Sequence, residues 1–268
     1  MDSSKKTYKS HIQLSKVLLR PYQERNSGDI TYFVNYLDLK DLSLHRNKLN
    51  EIDCNEGNYF DENVEDFLGK EIEGKVRLVF DKVKNIINKK EVSSPKFTAN
   101  DMDFIRSFFM YSFIRNKDFF TTLKAHSTFA PLIKNFSHSI IFGFTDSIEK
   151  FFFKKQIGFI SNKTNINFVC PHNLIYYVFV ENLKTYCLVI PINKELAVFI
   201  DLEHESNQIN VIEVLNCEHI RSLNYAAYLT ERNHSNSFIV GKAKDLENLL
   251  FDINNTTSND LVIINFIK

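Results

Sequence analysis

Ile72-Glu73-Gly74-Lys75-Val76-Arg77-Leu78-Val79-Phe80-Asp81-Lys82-Val83-Lys84-Asn85-Ile86-Ile87 sets its apolar residues three and four positions apart. That spacing gathers Ile72, Val76, Val79, Phe80, Val83 and Ile87 into one stripe of an α-helix. The pattern runs back through Phe60, Val64, Phe67 and Leu68, so it predicts a long helix from about Tyr59 to Asn88, weakened but not broken at Gly69 and Gly74. Ser93-Ser94-Pro95 marks a linker, after which Thr98 or Asn100 offers an N-cap to a second helix reaching about Asn116. Phe104, Ile105, Phe108, Phe109 and Tyr111 form its inner side.

Outward from this pair of helices the period changes. Beyond Pro131, short apolar runs lie between turn residues: Ile140 to Phe144, Gly158 to Ile160, Ile166 to Val169, Ile175 to Val180, Cys187 to Ile192 and Ala197 to Ile200. They predict a mainly antiparallel sheet. Helical spacing returns from Glu218 to Glu231 and from Lys244 to Ile253, and Leu261 to Ile267 reads as a closing strand. Ahead of the long helix, Ile12 to Leu19 predicts a short helix ended near Pro21, and alternation from Ile30 to Asn35 predicts a strand. Asn162 to Asn167 and Asn254-Asn255 read as loops. The expected fold is α+β: two long central helices packed on a mainly antiparallel C-terminal sheet, with a small N-terminal helix-strand edge. A mainly helical lobe over 1–135 and a sheet lobe over 136–268, sharing a core, fit the length of 268 residues.

Composition narrows the function classes. Phe occurs 25 times and Tyr 11 times with no Trp, so aromatic rings must supply much of the buried area. Thirty-three basic residues balance 33 acidic ones, which removes a net field that would draw the chain to nucleic acid or to an anionic membrane. The N-terminus has no apolar targeting region, and no run is long enough to span a bilayer. A cytoplasmic location without membrane contact is expected. Cys54, Cys170, Cys187 and Cys217 follow no paired spacing, which reads as free thiols in a reducing compartment. Cys170-Pro171-His172 with Cys187, or His204, lacks the ligand spacing of a zinc site. No obligatory metal and no cofactor are expected. Abundant Lys and Asn beside 7 Gly and 5 Pro are associated with AT-rich bacterial or phage genes.

No phosphate-binding, dinucleotide, zinc-protease or nucleophile-elbow motif is present in the sequence. Three polar residues stand out instead. Arg115 continues the line of Phe104, Phe108 and Tyr111, and Glu73 borders the stripe of the long helix. A Glu73–Arg115 pair across the two helices is therefore expected. His11 opens the N-terminal helix. Together the three would suit metal-independent phosphodiester cleavage, with Glu73 as base, His11 as acid and Arg115 on the phosphate. The simpler account is a structural ion pair between Glu73 and Arg115, with His11 capping or packing locally.

His11-Ile12-Gln13-Leu14, Phe108 to Arg115, Phe159-Ile160-Ser161, Ile190 to Ala197 and Leu215-Asn216 together resemble a bacterial domain-of-unknown-function family. That family carries an N-terminal His-x-x-Pro motif, a mid-chain Arg helix and a Ser-Asp-Asn-Pro segment. Leu14 stands where the family has Pro, and Asn162, Lys163, Thr164 and Asn165 replace the four residues of the segment. The resemblance implies a fold outline and no reaction. Since Lys163 cannot act as a carboxylate, it points to a binding descendant, with Asn162, Lys163 and Asn165 as contact residues. The expected function is that of a bacterial or phage conflict protein, in defence or counter-defence, that binds a protein or nucleic-acid partner. The alternative is the nuclease built on His11, Glu73 and Arg115.

Overall fold

Sixteen-residue helices from Gly74 and from Ala99 provide the aromatic half of the core. They belong to a computed structural model that describes residues 19–25, 31–48, 51, 68–89, 97–114, 155–181, 184–206, 209–234, 237–256 and 263–264. Among these residues the chain is a mixed α and β protein with four helices and two mostly antiparallel sheets. The helices are α1 (Gly74–Lys89), α2 (Ala99–Ile114), α3 (Cys217–Glu231) and α4 (Ala243–Asn255). The strands are β1 (Glu24–Arg25), β2 (Tyr32–Asp38), β3 (Ser43–Lys48), β4 (Lys155–Asn162), β5 (Cys170–Pro171), β6 (Tyr176–Val180), β7 (Thr185–Asn193), β8 (Leu196–Glu205), β9 (Ile209–Val214), β10 (Phe238–Gly241) and β11 (Ile263–Ile264).

The helix predicted from about Tyr59 is described only from Leu68. Its first described residues, Leu68–Glu73, form a π turn, and the chain is α-helical from Gly74. Gly69 and Gly74 bracket that wide turn, where low helical propensity makes a change of helix type inexpensive. Thr98 caps α2 in a reciprocal box: its hydroxyl accepts from Asp101 N at 3.2 Å and its own N–H donates to Asp101 Oδ2 at 2.8 Å. α1 and α2 run antiparallel, Phe80 meeting Phe108 edge to face at 5.7 Å and Lys82 reaching Asp101 at 2.7 Å. Lys75 lies over the Phe104 ring.

The larger sheet has the order β11-β6-β7-β8-β4-β9, antiparallel except where β11 joins β6 and β9 joins β4. Its two faces feed two cores. Ile157, Phe159, Ile190, Ile192, Val198 and Ile200 pack with α1 and α2. Ile160, Val178, Val189, Ala197 and Phe199 pack with Ile220, Leu223, Leu246 and Leu249 of α3 and α4. Period-2 alternation therefore divides each strand between two helical layers. The smaller sheet has the order β1-β2-β10-β5, with β3 also on β2, so strands from the two ends of the chain pair in register.

Several expectations shift. The strand expected from Ile30 spans Tyr32 to Asp38, with Val34 and Leu37 fully buried. Ile166 to Val169 is a loop rather than a strand. The amides of Asn167, Phe168 and Val169 donate to Asp245, to the Lys194 carbonyl and to Asn224 instead of to a ladder. Asn254 and Asn255 complete the last turn of α4. Strand β9 was not expected: Glu213 and Asn210 interrupt its apolar residues and mask the alternation. The runs Ile12 to Val17 and Ile140 to Phe144 lie outside the described residues. No helix among the described residues is long and apolar enough to cross a membrane.

Candidate functional site

β4 ends at Asn162, and the chain leaves it beside the turn that joins β7 to β8. Lys84 of α1, Ser161, Asn162, Lys163, Asn193, Glu195 and Leu196 line a recess there. Asn162 organises it from below. Its amide donates to the Ile166 carbonyl at 2.6 Å, and its side-chain oxygen accepts from Thr164 N at 2.8 Å. Its backbone N–H donates to Glu195 O at 2.9 Å. The Asn162 side chain is only 6% exposed, and these bonds use both ends of the amide. The residue therefore holds the loop and has little left to offer a ligand.

The next residues are fastened as firmly. Lys163 N donates to Val214 O at 2.9 Å, and Asn167 grips both carboxylate oxygens of Asp245 at the start of α4, at 3.0 and 2.7 Å. Asn224 of α3 closes the loop from behind, accepting from Val169 N and donating to Asn167 O. Burial pushes the Asp245 carboxyl up, with the Asn167 donors opposing it. What the loop presents outward is Lys163, whose ammonium lies 3.9 Å from Glu213, and Asn165, which accepts from Cys217 Sγ at 3.2 Å. The enclosed part of the recess is about 30 Å³. That is room for a water molecule or two, well below the few hundred Å³ of an ordinary small-molecule site.

Of the expected catalytic residues, only Glu73 is described. It is half-buried at the end of the π turn. His11 and Arg115 lie outside the described residues. The arginine that is seen buried is Arg106, which bonds Asp103 at 3.2 Å and the Lys155 carbonyl at 3.2 Å. It falls on the Met102, Ile105 and Phe109 side of α2, a placement that the same helical steps could have indicated.

The charged pair Glu231-Arg232 reads in the sequence as solvated surface, and the structure corrects this for Glu231, whose partners are distant along the chain. Glu231, fully buried, receives Asn173 N at 2.7 Å and Asn173 Nδ2 at 3.1 Å. Burial raises its carboxyl above the ordinary value, against the influence of His172, Asn173 and His234. Asp201, also buried, accepts from Thr185 at 2.6 Å and from the amides of Glu203 and His204. Burial alone would raise its carboxyl, yet these donors hold it below the ordinary value. Asp38, Asp41 and His45 bring potential metal-ligand atoms within 4.8 Å of one another on the β2–β3 hairpin. Asp38 and Asp41 accept from the Lys40 and Ser43 amides, so they also shape that turn. Among the described residues, Cys170, His172 and Cys187 do not gather into a ligand set. Burial pushes the two thiols up.

No family model, no curated protein and no solved structure matches the chain. The reading of the site therefore rests on its own geometry.

Proposed function

We propose that this chain is a cytoplasmic binding protein of bacterial or phage conflict, acting in defence or counter-defence by engaging a protein partner at the rim of the Asn162 recess. The observation that carries the reading is the division of labour in that loop. Its buried residues spend their hydrogen bonds on rigidity, while Lys84, Lys163 and Glu195 stand around an opening too small to enclose a substrate. A rigid, mixed-charge rim is suited to recognition, because its donors and acceptors are ordered before the partner arrives. The mixture of signs, with 33 basic and 33 acidic residues overall, favours a protein surface over a nucleic-acid backbone. The bacterial or phage setting is supported by composition alone. The stretch Asn162 to Asn165, read from the sequence as resembling the bacterial family's Ser-Asp-Asn-Pro segment, falls in the same loop, which supports the reading.

A second reading has one observation in its favour. The antiparallel packing of α1 on α2 sets the Glu73 turn toward the C-terminal part of α2, the end from which Arg115 follows in sequence. The nuclease reading would draw on that proximity, with His11 as acid. The two are separated by comparing wild type, the Lys84→Glu/Lys163→Glu double variant and His11→Ala. Each is assayed for capture of host proteins and for cleavage of labelled RNA and DNA in chelator. The binding reading expects a specific captured protein that the double variant loses, with no cleavage. Equal capture by wild type and the double variant would remove the recess from the contact. Cleavage abolished by His11→Ala would replace the binding reading with the nuclease.

A further inference from the structure

Tyr22 and Tyr176 are the largest fully buried side chains among the described residues, at 0% and 1% exposure. Tyr22 ends the 3-10 turn Arg20–Tyr22 ahead of β1 and belongs to the core that α1 and α2 complete. Tyr176 opens β6 and belongs to the core that α3 and α4 complete. Cys170 of β5 lies within electrostatic reach of both phenols. The three residues therefore mark a seam where the smaller sheet meets the larger and one core gives way to the other.

Among the described residues, neither phenolic oxygen has a hydrogen-bond partner. Burial pushes both phenols up, so each stays a neutral hydroxyl with one proton to donate and lone pairs to fill. Their polar neighbours are committed elsewhere. Cys170 Sγ turns to the Pro171 carbonyl at 3.8 Å. Asp245, which acts on Tyr22, receives Asn167 on both carboxylate oxygens, and Glu231, which acts on Cys170, receives Asn173 on both of its own. A buried hydroxyl that bonds nothing weakens a fold, and two of them at one seam call for a common explanation.

We propose that this seam is an internal water site, in which ordered water bonds to the hydroxyls of both Tyr22 and Tyr176. The chemistry selects water over other occupants. A phenol is satisfied in full by a partner that both donates and accepts, as water does and a simple ion does not. The nearby carboxylates already hold their own donors, so an ion would find no free charge to pair with. Exposure of 0% and 1% closes the site to anything larger. Bound there, water would tie the turn ahead of β1 to the start of β6, two segments that share no strand pairing.

Urea unfolding of the full chain, compared among wild type, Tyr22→Phe and Tyr176→Phe, tests the proposal. Each change removes the hydroxyl and keeps the ring. With water bound, each variant should lower the folding equilibrium constant about fivefold, the ordinary net worth of one hydrogen bond. A crystal structure of wild type should show a water oxygen about 2.7–2.8 Å from each phenolic oxygen. A Phe variant at least as stable as wild type overturns the proposal, because removing a dry, unpaired hydroxyl has that effect. So does a crystal structure in which either hydroxyl has no water within hydrogen-bond reach. Should a Phe variant fail to fold, the crystal structure decides alone.

Discussion

Replacing Glu231 probes a polar contact that is fully buried. The carboxylate closes α3 at its C-terminal end, where the helix dipole disfavours an anion, and it is fully buried. Its compensation is Asn173, which donates twice. Those bonds hold the turn after β5, in which Leu174 has φ 64°, a left-handed conformation that a leucine keeps only when its surroundings impose it. Glu231→Ala removes the acceptor from two buried donors at about 1–3 kcal/mol each and leaves a small cavity, so about 3–6 kcal/mol of stability should be lost. Glu231→Gln keeps one acceptor and turns the other into a donor facing a donor, for a loss of about 1–3 kcal/mol. The pH dependence gives a second readout. Burial raises the folded-state carboxyl above its unfolded value, so its proton stabilises the fold below the unfolded value and that contribution is lost as pH rises through the folded one. Wild type should therefore lose stability over that window while Glu231→Gln does not, and the penalty of the Gln variant should shrink toward alkaline pH. Urea unfolding of the three proteins from pH 4.5 to 8.5 measures both effects. A Glu231→Ala loss below about 0.5 kcal/mol would place the side chain at the surface. A Gln penalty constant with pH would refute the buried charge.

Asp201 should show the opposite pH behaviour. Its donors hold the folded carboxyl below its ordinary value, so its contribution is present above that value and disappears as pH falls through the folded one. Asp201→Asn should flatten the acid limb of the stability profile. Gly158→Ala would put a Cβ 2.1 Å from the Phe199 ring, inside a core where overpacking costs about 1–3 kcal/mol, measurable by urea unfolding. Asn162→Ala should cost about 2–4 kcal/mol, because the amides and carbonyls that it bridges lose their partner, and should speed hydrogen exchange at Thr164 and Ile166. Phe80→Ala removes a buried ring packed on Phe108 and should cost about 3–5 kcal/mol by thermal or urea unfolding.

The helices α2, α3 and α4 were legible in the sequence because their apolar residues recur at three- and four-residue steps, and α2 and α3 also carry a local start signal. Thr98 with Asp101 and Asn216 with the Glu218 amide are caps written within four residues. Strands β6, β7 and β8 were legible for a similar reason, as apolar runs bounded by turns. Ile166 to Val169 has the same local composition and still forms a loop, because its backbone partners come from Lys194, Asn224 and Asp245. No window on the sequence includes all of those positions. The same distance rule explains the site. Asn162, Lys163 and Asn165 were singled out in the sequence only through a resemblance, and the structure places the first two on one recess. The segment's roles separate only in three dimensions.

That separation bears on what selection can alter in such a loop. A residue whose hydrogen bonds are all internal cannot change without loosening the neighbouring backbone, whereas a residue on the rim can change its charge at little cost in stability. Asn162 is of the first kind and Lys163 of the second, one peptide bond apart. In the proposed binding role, Asn162 is the support of the loop and Lys163 the contact position on its rim. Lys163→Asp is the variant that isolates the second role. It should leave urea stability within about 0.5 kcal/mol of wild type, since a surface pair at 3.9 Å contributes little. It would set a carboxylate beside Glu213 and so invert the local charge that a partner meets. Loss of cellular activity with unchanged stability would assign Lys163 to recognition. If Lys163→Asp stays fully active while His11→Ala is silent, the rim is not the contact and the nuclease reading takes its place.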